Sequence, residues 1–281
     1  MSWTRVTEAL RTALELSDDS VGLVETLLPI GWGVDADFDM ASSLAQIDGW
    51  SAAVAGAIAA SSTETEAREE IAALERILFT REKFVGDRAQ YYDPRNSLMH
   101  RVLERRRGMP ILLAAIYIDV ARRAGLAVEG VGFPGHFLVK HTQSSPATIV
   151  DPFSNGRILD QPACRKLLRE MHGDGVPFRP SMLDSVSRRE IVLRVLRNLK
   201  GCYARIGDLP NAVGVVTCLL DLDPGALMDR RDRAAYQLAL GDLSAAYRDL
   251  EEAWDRAPAG PMRESLRELR ERVRADMARL N

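Results

Sequence analysis

Apolar residues fall on one helical face from Thr4 to Leu16, at Val6, Leu10 and Leu14. The spacing repeats from Thr63 to Thr80, at Ile71, Leu74, Ile77 and Leu78, with an Ala-rich stretch from Trp50 to Ala60 between them. Residues 1 to about 85 are thus expected to be helical, with a loop near Gly31-Trp32-Gly33. Arg95 to Arg107 is expected to form a further helix, with Asn96 or Ser97 as its cap. From Pro110 to Ala124 the chain is apolar nearly all round, the pattern of a helix inside a domain, and Gly125 is a natural stop. Three Val/Ile/Phe-rich stretches follow, Ala127 to Phe133, His136 to Lys140 and Thr148 to Asp151, which read as short strands. A central helix on a short antiparallel sheet makes the fold class α+β, mostly helical.

The C-terminal third is periodic. Gly207-Asp208-Leu209 returns 34 residues later as Gly241-Asp242-Leu243, Ala212 as Ala246 and Pro224 as Pro258. That period is the tetratricopeptide (TPR) pattern, in which Gly opens the turn between two helices and Ala lets them approach. Tyr203 fits the usual aromatic position, where the second copy has Gln237. Leu266, Leu269, Val273, Met277 and Leu280 mark an amphipathic closing helix. Two repeats bury too little surface to stand alone, so this segment is expected to dock on the rest. The expected division is 1–187, helical region plus core, and 188–281, two TPR-like helix pairs and a capping helix.

Composition narrows the function classes. A net charge of −3 gives no electrostatic case for nucleic acid or an anionic membrane. The basic run Arg101, Arg105, Arg106 and Arg107 is interrupted by Glu104 and reads as a solvated helix face. No apolar stretch reaches the ~20 residues that span a bilayer. Met1 to Asp19 lacks the charged start and apolar block of a secretory signal. Cys164, Cys202 and Cys218 have no paired spacing, so a disulfide framework or zinc site is not expected and the cytoplasm fits best. His136, His141, Asp151 and Asp160 show no metal-ligand spacing, and no cofactor is expected.

Tyr92-Asp93-Pro94, Asn96-Ser97, Arg107-Gly108-Met109-Pro110-Ile111, Gly132-Phe133-Pro134-Gly135-His136-Phe137 and Asp151-Pro152-Phe153 together resemble the transglutaminase-like core of the papain-type superfamily. More narrowly, the stretch from Tyr91 to Leu159 resembles SirB-type bacterial proteins, which join such a core to a C-terminal TPR segment. In transglutaminase-like enzymes a nucleophilic cysteine opens the central helix, where the helix dipole favours a thiolate. A histidine on a following strand takes its proton and an aspartate orients the histidine. Counting fifteen residues back from Gly125 reaches Pro110, and Ala114 then falls on the family's small residue four places later. The resemblance therefore implies proline in the cysteine position, with His136 and Asp151 in the other two and Asp151 accepting from Nδ1 of His136. Ser97 or Cys164 is a substitute nucleophile to be tested. Tyr91, Tyr92, Phe133 and Phe153 are expected around the cleft, and His141 exposed at a strand end. Asn96, Tyr92, Phe133 and Tyr203 are the candidate binding positions. The resemblance implies a regulatory or adaptor module that binds a protein or peptide through the TPR groove. The alternative is a cysteine-independent hydrolase or transferase using His136 and Asp151 with Ser97, Cys164 or water.

Overall fold

The computed structural model describes residues 2–17, 20–60, 67–143 and 145–280. Helices α1 (Ser2–Glu15), α2 (Leu23–Leu27), α3 (Met40–Ala59) and α4 (Ala67–Leu74) form the N-terminal region. Val6 and Leu10 on α1 are fully buried, as their spacing requires. The expected loop at Gly31 to Gly33 is the end of a 3-10 turn, Leu28–Gly33, buried at Leu28 and Ile30. The helix expected from Thr63 is described from Ala67, and residues 63–66 lie outside the described residues. After α4 the chain continues as a π-helical turn, Glu75–Arg81.

The helix expected over 95–107 is shorter. Asp93 caps a 3-10 turn, Pro94–Ser97, and α5 (Met99–Arg105) starts only after Leu98 in extended geometry. Asn96 and Ser97 therefore do not cap α5. Their side chains turn inward and both are fully buried. The basic run is also not a plain solvated face. Arg101 pairs with Asp35 and Glu104, Arg105 with Asp87, and Arg106 with Glu82, whereas Arg107 is exposed.

Short strands β1 (Val85–Gly86) and β2 (Arg107–Gly108) pair in parallel beside the start of α6 (Pro110–Arg123). Every residue of α6 from Pro110 to Ala121 is buried. The main sheet is antiparallel in the order β3 (Val128–Val131), β4 (Leu138–His141), β5 (Thr148–Asp151) and β6 (Arg157–Leu159). Strand β6 gave no clear periodic signal. Side chains alternate across this sheet as strand geometry dictates. Val128, Val139 and Val150 join the cluster around α6, while Val131, Leu138 and Ile149 face Cys164 and Leu168 of α7 (Gln161–His172). The sheet is thus a layer between α6 and α7.

The C-terminal segment comprises α8 (Arg188–Ile206), α9 (Leu209–Leu222), α10 (Leu227–Ala239), α11 (Leu243–Arg256) and α12 (Pro261–Leu280). Gly207 and Gly241 take φ of 79° and 82°, the left-handed geometry that closes a helix. Asp208 and Asp242 then cap the next helices, accepting from the Asn211 and Ala245 amides. Ala212 and Ala246 are fully buried at the two crossings. On α12, Leu266 and Val273 are fully buried, with Leu269 and Met277 packed beside them. The side chain of Leu280 lies outside the described residues.

This segment docks on α1. A Cβ on Gly214 of α9 would lie 2.2 Å from the Trp3 ring, so only glycine admits the indole there. Thr7 Oγ1 donates to Cys218 Sγ at 3.0 Å across the same contact.

His141 is fully buried rather than exposed, because its ring turns inward to Tyr117, with Nε2 and the hydroxyl 2.8 Å apart. Its Nδ1 and both nitrogens of His100 have no hydrogen-bond partner among the described residues. Burial lowers both imidazole pKa values to about 4, with Arg101 reinforcing and Asp35 opposing the shift at His100. A folded pKa below the unfolded value of about 6.5 means the unfolded chain binds more protons between those limits. Stability is expected to be intact above about pH 6.5 and to fall as pH drops towards 4, by up to roughly 3 kcal/mol per histidine. Urea unfolding across that range checks this, and His100→Leu is expected to flatten the slope by about half. An unchanged slope would assign it to other groups.

Candidate functional site

The candidate site comprises the start of α6, the turn before β4 and the end of β5, and α6 packs against β4 and the 3-10 turn that follows β5. Met109 is the N-cap of α6 and Pro110 its first residue. Proline presets the first-turn φ and removes an amide that would have had no helical acceptor. The preceding chain is clamped to this start. The Met109 amide donates to the Asn96 carbonyl at 3.0 Å, and Ser97 Oγ lies 3.0 Å from Met109 Sδ.

His136 lies in the turn after Pro134-Gly135, just outside β4 rather than within a strand. Its Nε2 is 2.9 Å from Asp151 Oδ1, and both residues are almost completely buried. The nitrogen engaged is Nε2, not the Nδ1 that the resemblance implied. Asp151 ends β5 and also caps the 3-10 turn Pro152–Ser154, accepting from the Phe153 amide at 3.0 Å. Burial pushes the Asp151 carboxyl up, but the hydrogen bond and charge of His136, with the Ser154 hydroxyl and the Phe153 amide, hold it below the usual carboxylate range. The Phe153 ring stands edge-on to His136 at 5.7 Å, and Tyr91 stands edge-on to Phe153 at 6.1 Å.

Neither substitute nucleophile is hydrogen-bonded to His136 among the described residues. Cys164 packs behind the sheet with Phe133 and Leu138, and burial followed by the Asp160 charge raises its thiol pKa. Ser97 is fully buried and engaged with Met109. Of the candidate binding positions, Tyr92 is exposed, and the Arg205 guanidinium lies 4.3 Å from its ring centroid. Phe133 is fully buried and Tyr203 nearly so. Asn96 donates to the Gln90 carbonyl and accepts from Arg105, which makes it a strut. Among the described residues there is no cluster of three His, Cys, Asp or Glu side chains placed to hold a metal.

Two participants were not singled out for this place from the sequence. Cys202 of α8 lies against Ser97, and burial pushes its thiol up to about 11 against the opposing hydrogen bond from Ser97. A thiol so raised is protonated at neutral pH and a poor nucleophile. Arg194, also on α8, donates to the Phe133 and His136 carbonyls at 3.0 and 2.7 Å and fixes the histidine turn. No local pattern links Arg194 to a turn 58 residues away.

Comparison with known proteins agrees with this architecture. A transglutaminase-like superfamily model matches residues 42–197 and a tetratricopeptide repeat model matches 199–271. A UPF0162 protein of Xylella fastidiosa is 40% identical over 184 residues, 64% of this chain and 66% of its own length. This chain therefore spans just under two thirds of that relative. A UPF0162 protein of Pseudomonas aeruginosa is 34% identical over 160 residues, 57% of this chain and 58% of its own. Human F-box only protein 21 is 32% identical over 143 residues, 48% of this chain but 22% of its own. No solved structure matches significantly. With the family model covering more than half of it, the chain belongs to the transglutaminase-like superfamily and carries a tetratricopeptide segment after that core.

Proposed function

We propose that this chain is a non-catalytic, SirB-type member of the superfamily, a cytoplasmic regulatory or adaptor module that binds a protein or peptide through its TPR helices. The observation that carries the reading is Pro110 at the first position of α6, where the superfamily places its nucleophile, with Ser97 bonded to Met109 and Cys164 packed with Phe133 and Leu138. The His136–Asp151 pair then acts as a buried strut between the turn before β4 and the end of β5. The TPR half supports the binding role. Ile206 and Leu240 stand one repeat apart at the ends of α8 and α10, 58% and 48% exposed. Paired exposed apolar side chains on successive repeats are the kind of contact an amphipathic peptide buries.

The alternative of a rewired hydrolase needs a nucleophile at the free side of the His136 ring. With Ser97 bonded to Met109 and Cys164 behind the sheet, water is the one that remains.

Amide, ester and glutaminyl-peptide substrates are expected to turn over no faster with the purified protein than with His136→Ala. Turnover that disappears in His136→Ala would overturn the non-catalytic reading. Cross-linking in cell extract is expected to yield a partner band that Ile206→Asp/Leu240→Asp removes and His136→Ala keeps. The opposite pattern would move binding from the TPR helices to the core.

A further inference from the structure

Two surface cavities of about 470 and 510 Å³ share Asp87 and Arg107 in their linings. The first is also lined by Arg88, Phe153 and Ser154, and the second by Arg105. Three guanidiniums therefore face one carboxylate. Asp87 is nearly fully buried and is taken by Arg105, 3.3 Å away. Arg105 also donates to Asn96 Oδ1.

Arg88 and Arg107 remain. Both are exposed, and neither has a carboxylate within ion-pair distance among the described residues. In a chain of net charge −3 whose other arginines beside this cleft, Arg105 and Arg106, are paired, two unneutralised ones on one cleft are unusual. Arg88 is also held in place. Its guanidinium lies 4.8 Å from the Phe153 ring centroid, and Nη2 donates to Ser154 Oγ at 3.1 Å. Its fork is thus oriented before any ligand arrives, which lowers the entropy lost on binding. Arg107 is set by its place on β2, paired to Val85 of β1.

We propose that this cleft is a binding site for a phosphate dianion, free or as a monoester, held between Arg88 and Arg107. The net local charge of +2 matches a dianion, and guanidinium forks match phosphate oxygens two at a time. The site is independent of the protein-binding reading, since it shares no residue with the TPR surface. It adjoins the buried pair through Ser154, whose hydroxyl reaches both Arg88 and the Asp151 carboxyl.

Isothermal titration of the full chain with inorganic phosphate at pH 7.5 and low salt tests it. Saturable one-to-one binding is expected. Arg88→Gln/Arg107→Gln should weaken it about 10- to 100-fold, the loss of a charge-assisted contact or two. Arg11→Gln on α1 should leave it unchanged, and unaltered circular dichroism melting of the double variant will separate lost binding from lost folding. Binding of phenyl phosphate, a monoester whose second proton returns at about pH 6, should also weaken several-fold between pH 7.5 and 5.5. Phenyl phosphate identifies the source: tighter binding than inorganic phosphate points to a phosphorylated ligand, weaker binding to the free ion. No saturable binding, or equal binding by the double variant, overturns the proposal.

Discussion

Asp151→Ala is expected to destabilise the protein by about 3–5 kcal/mol, the usual cost of removing a buried carboxylate that is bonded to two groups at once. The carboxylate serves two groups at once, His136 Nε2 and the Phe153 amide. Removing it leaves the buried imidazole unpartnered and uncaps the turn that holds Phe153 against it. For a chain of this size the loss corresponds to roughly 10 °C in the thermal midpoint. His136→Ala should cost somewhat less, because it strands a carboxylate that still caps the turn. The double variant should cost less than the two together, by about 0.5–3 kcal/mol of coupling. Strict additivity would mean that the two side chains do not support each other. The acid limb gives a second readout. A folded pKa held below the unfolded carboxylate value contributes stability that is complete above about pH 4 and disappears as pH falls through the folded value. Asp151→Ala should lose that part of the acid dependence while keeping the histidine slope between pH 6.5 and 4.

A chain ending at residue 187 is expected not to fold. The division at 187/188 falls at Ser187, the N-cap of α8 with a capping box to Glu190. Yet Ile191, Val192, Leu193, Val195, Leu196 and Leu199 of α8 all belong to the main core cluster with α6. At about 1.5–3 kcal/mol for each buried aliphatic side chain, their removal costs on the order of 10 kcal/mol, as much as a whole domain's net stability. It would also release the Arg194 clamp on the His136 turn. A chain ending at residue 225 keeps α8 and α9, and with them the Trp3–Gly214 contact. It should retain a cooperative melt, while α10 to α12, with their own apolar cluster, are lost as a unit. A cooperative melt for 1–187 would show that α8 is accessory to the core.

The comparison of the two cut points also separates what was legible in the sequence from what was not. The TPR helices were readable because each signal is local: Gly207 and Gly241 close a helix, Asp208 and Asp242 cap the next, and Ala212 and Ala246 permit close crossing. The apolar α6, its proline start and three of the four main-sheet strands follow from composition and period alone. Strand β6, Arg157–Leu159, has three residues with only Leu159 buried, too short a run to display a period of two.

At the site, the sequence set the order Pro110, His136, Asp151, and the structure brings His136 and Asp151 to 2.9 Å. It could not set which nitrogen faces the carboxylate, since that depends on how the turn at Pro134-Gly135 aims the ring. It misassigned Asn96 and Ser97 as caps because both are good capping residues by type. Only the extended Leu98 shows that α5 begins beyond them. His141 was expected in water because it ends a strand. Its burial depends on Tyr117, a helix residue 24 positions earlier. Local pattern therefore determined most of the helices and the turns of the repeat, because each signal rests on residues within a turn or two of one another, whereas His136 and Asp151, 15 positions apart, were named by the family resemblance. Tertiary packing decided which polar side chains meet, from Arg194 on the His136 turn to Arg88 on Phe153, because those contacts join residues tens of positions apart that only the folded chain brings together.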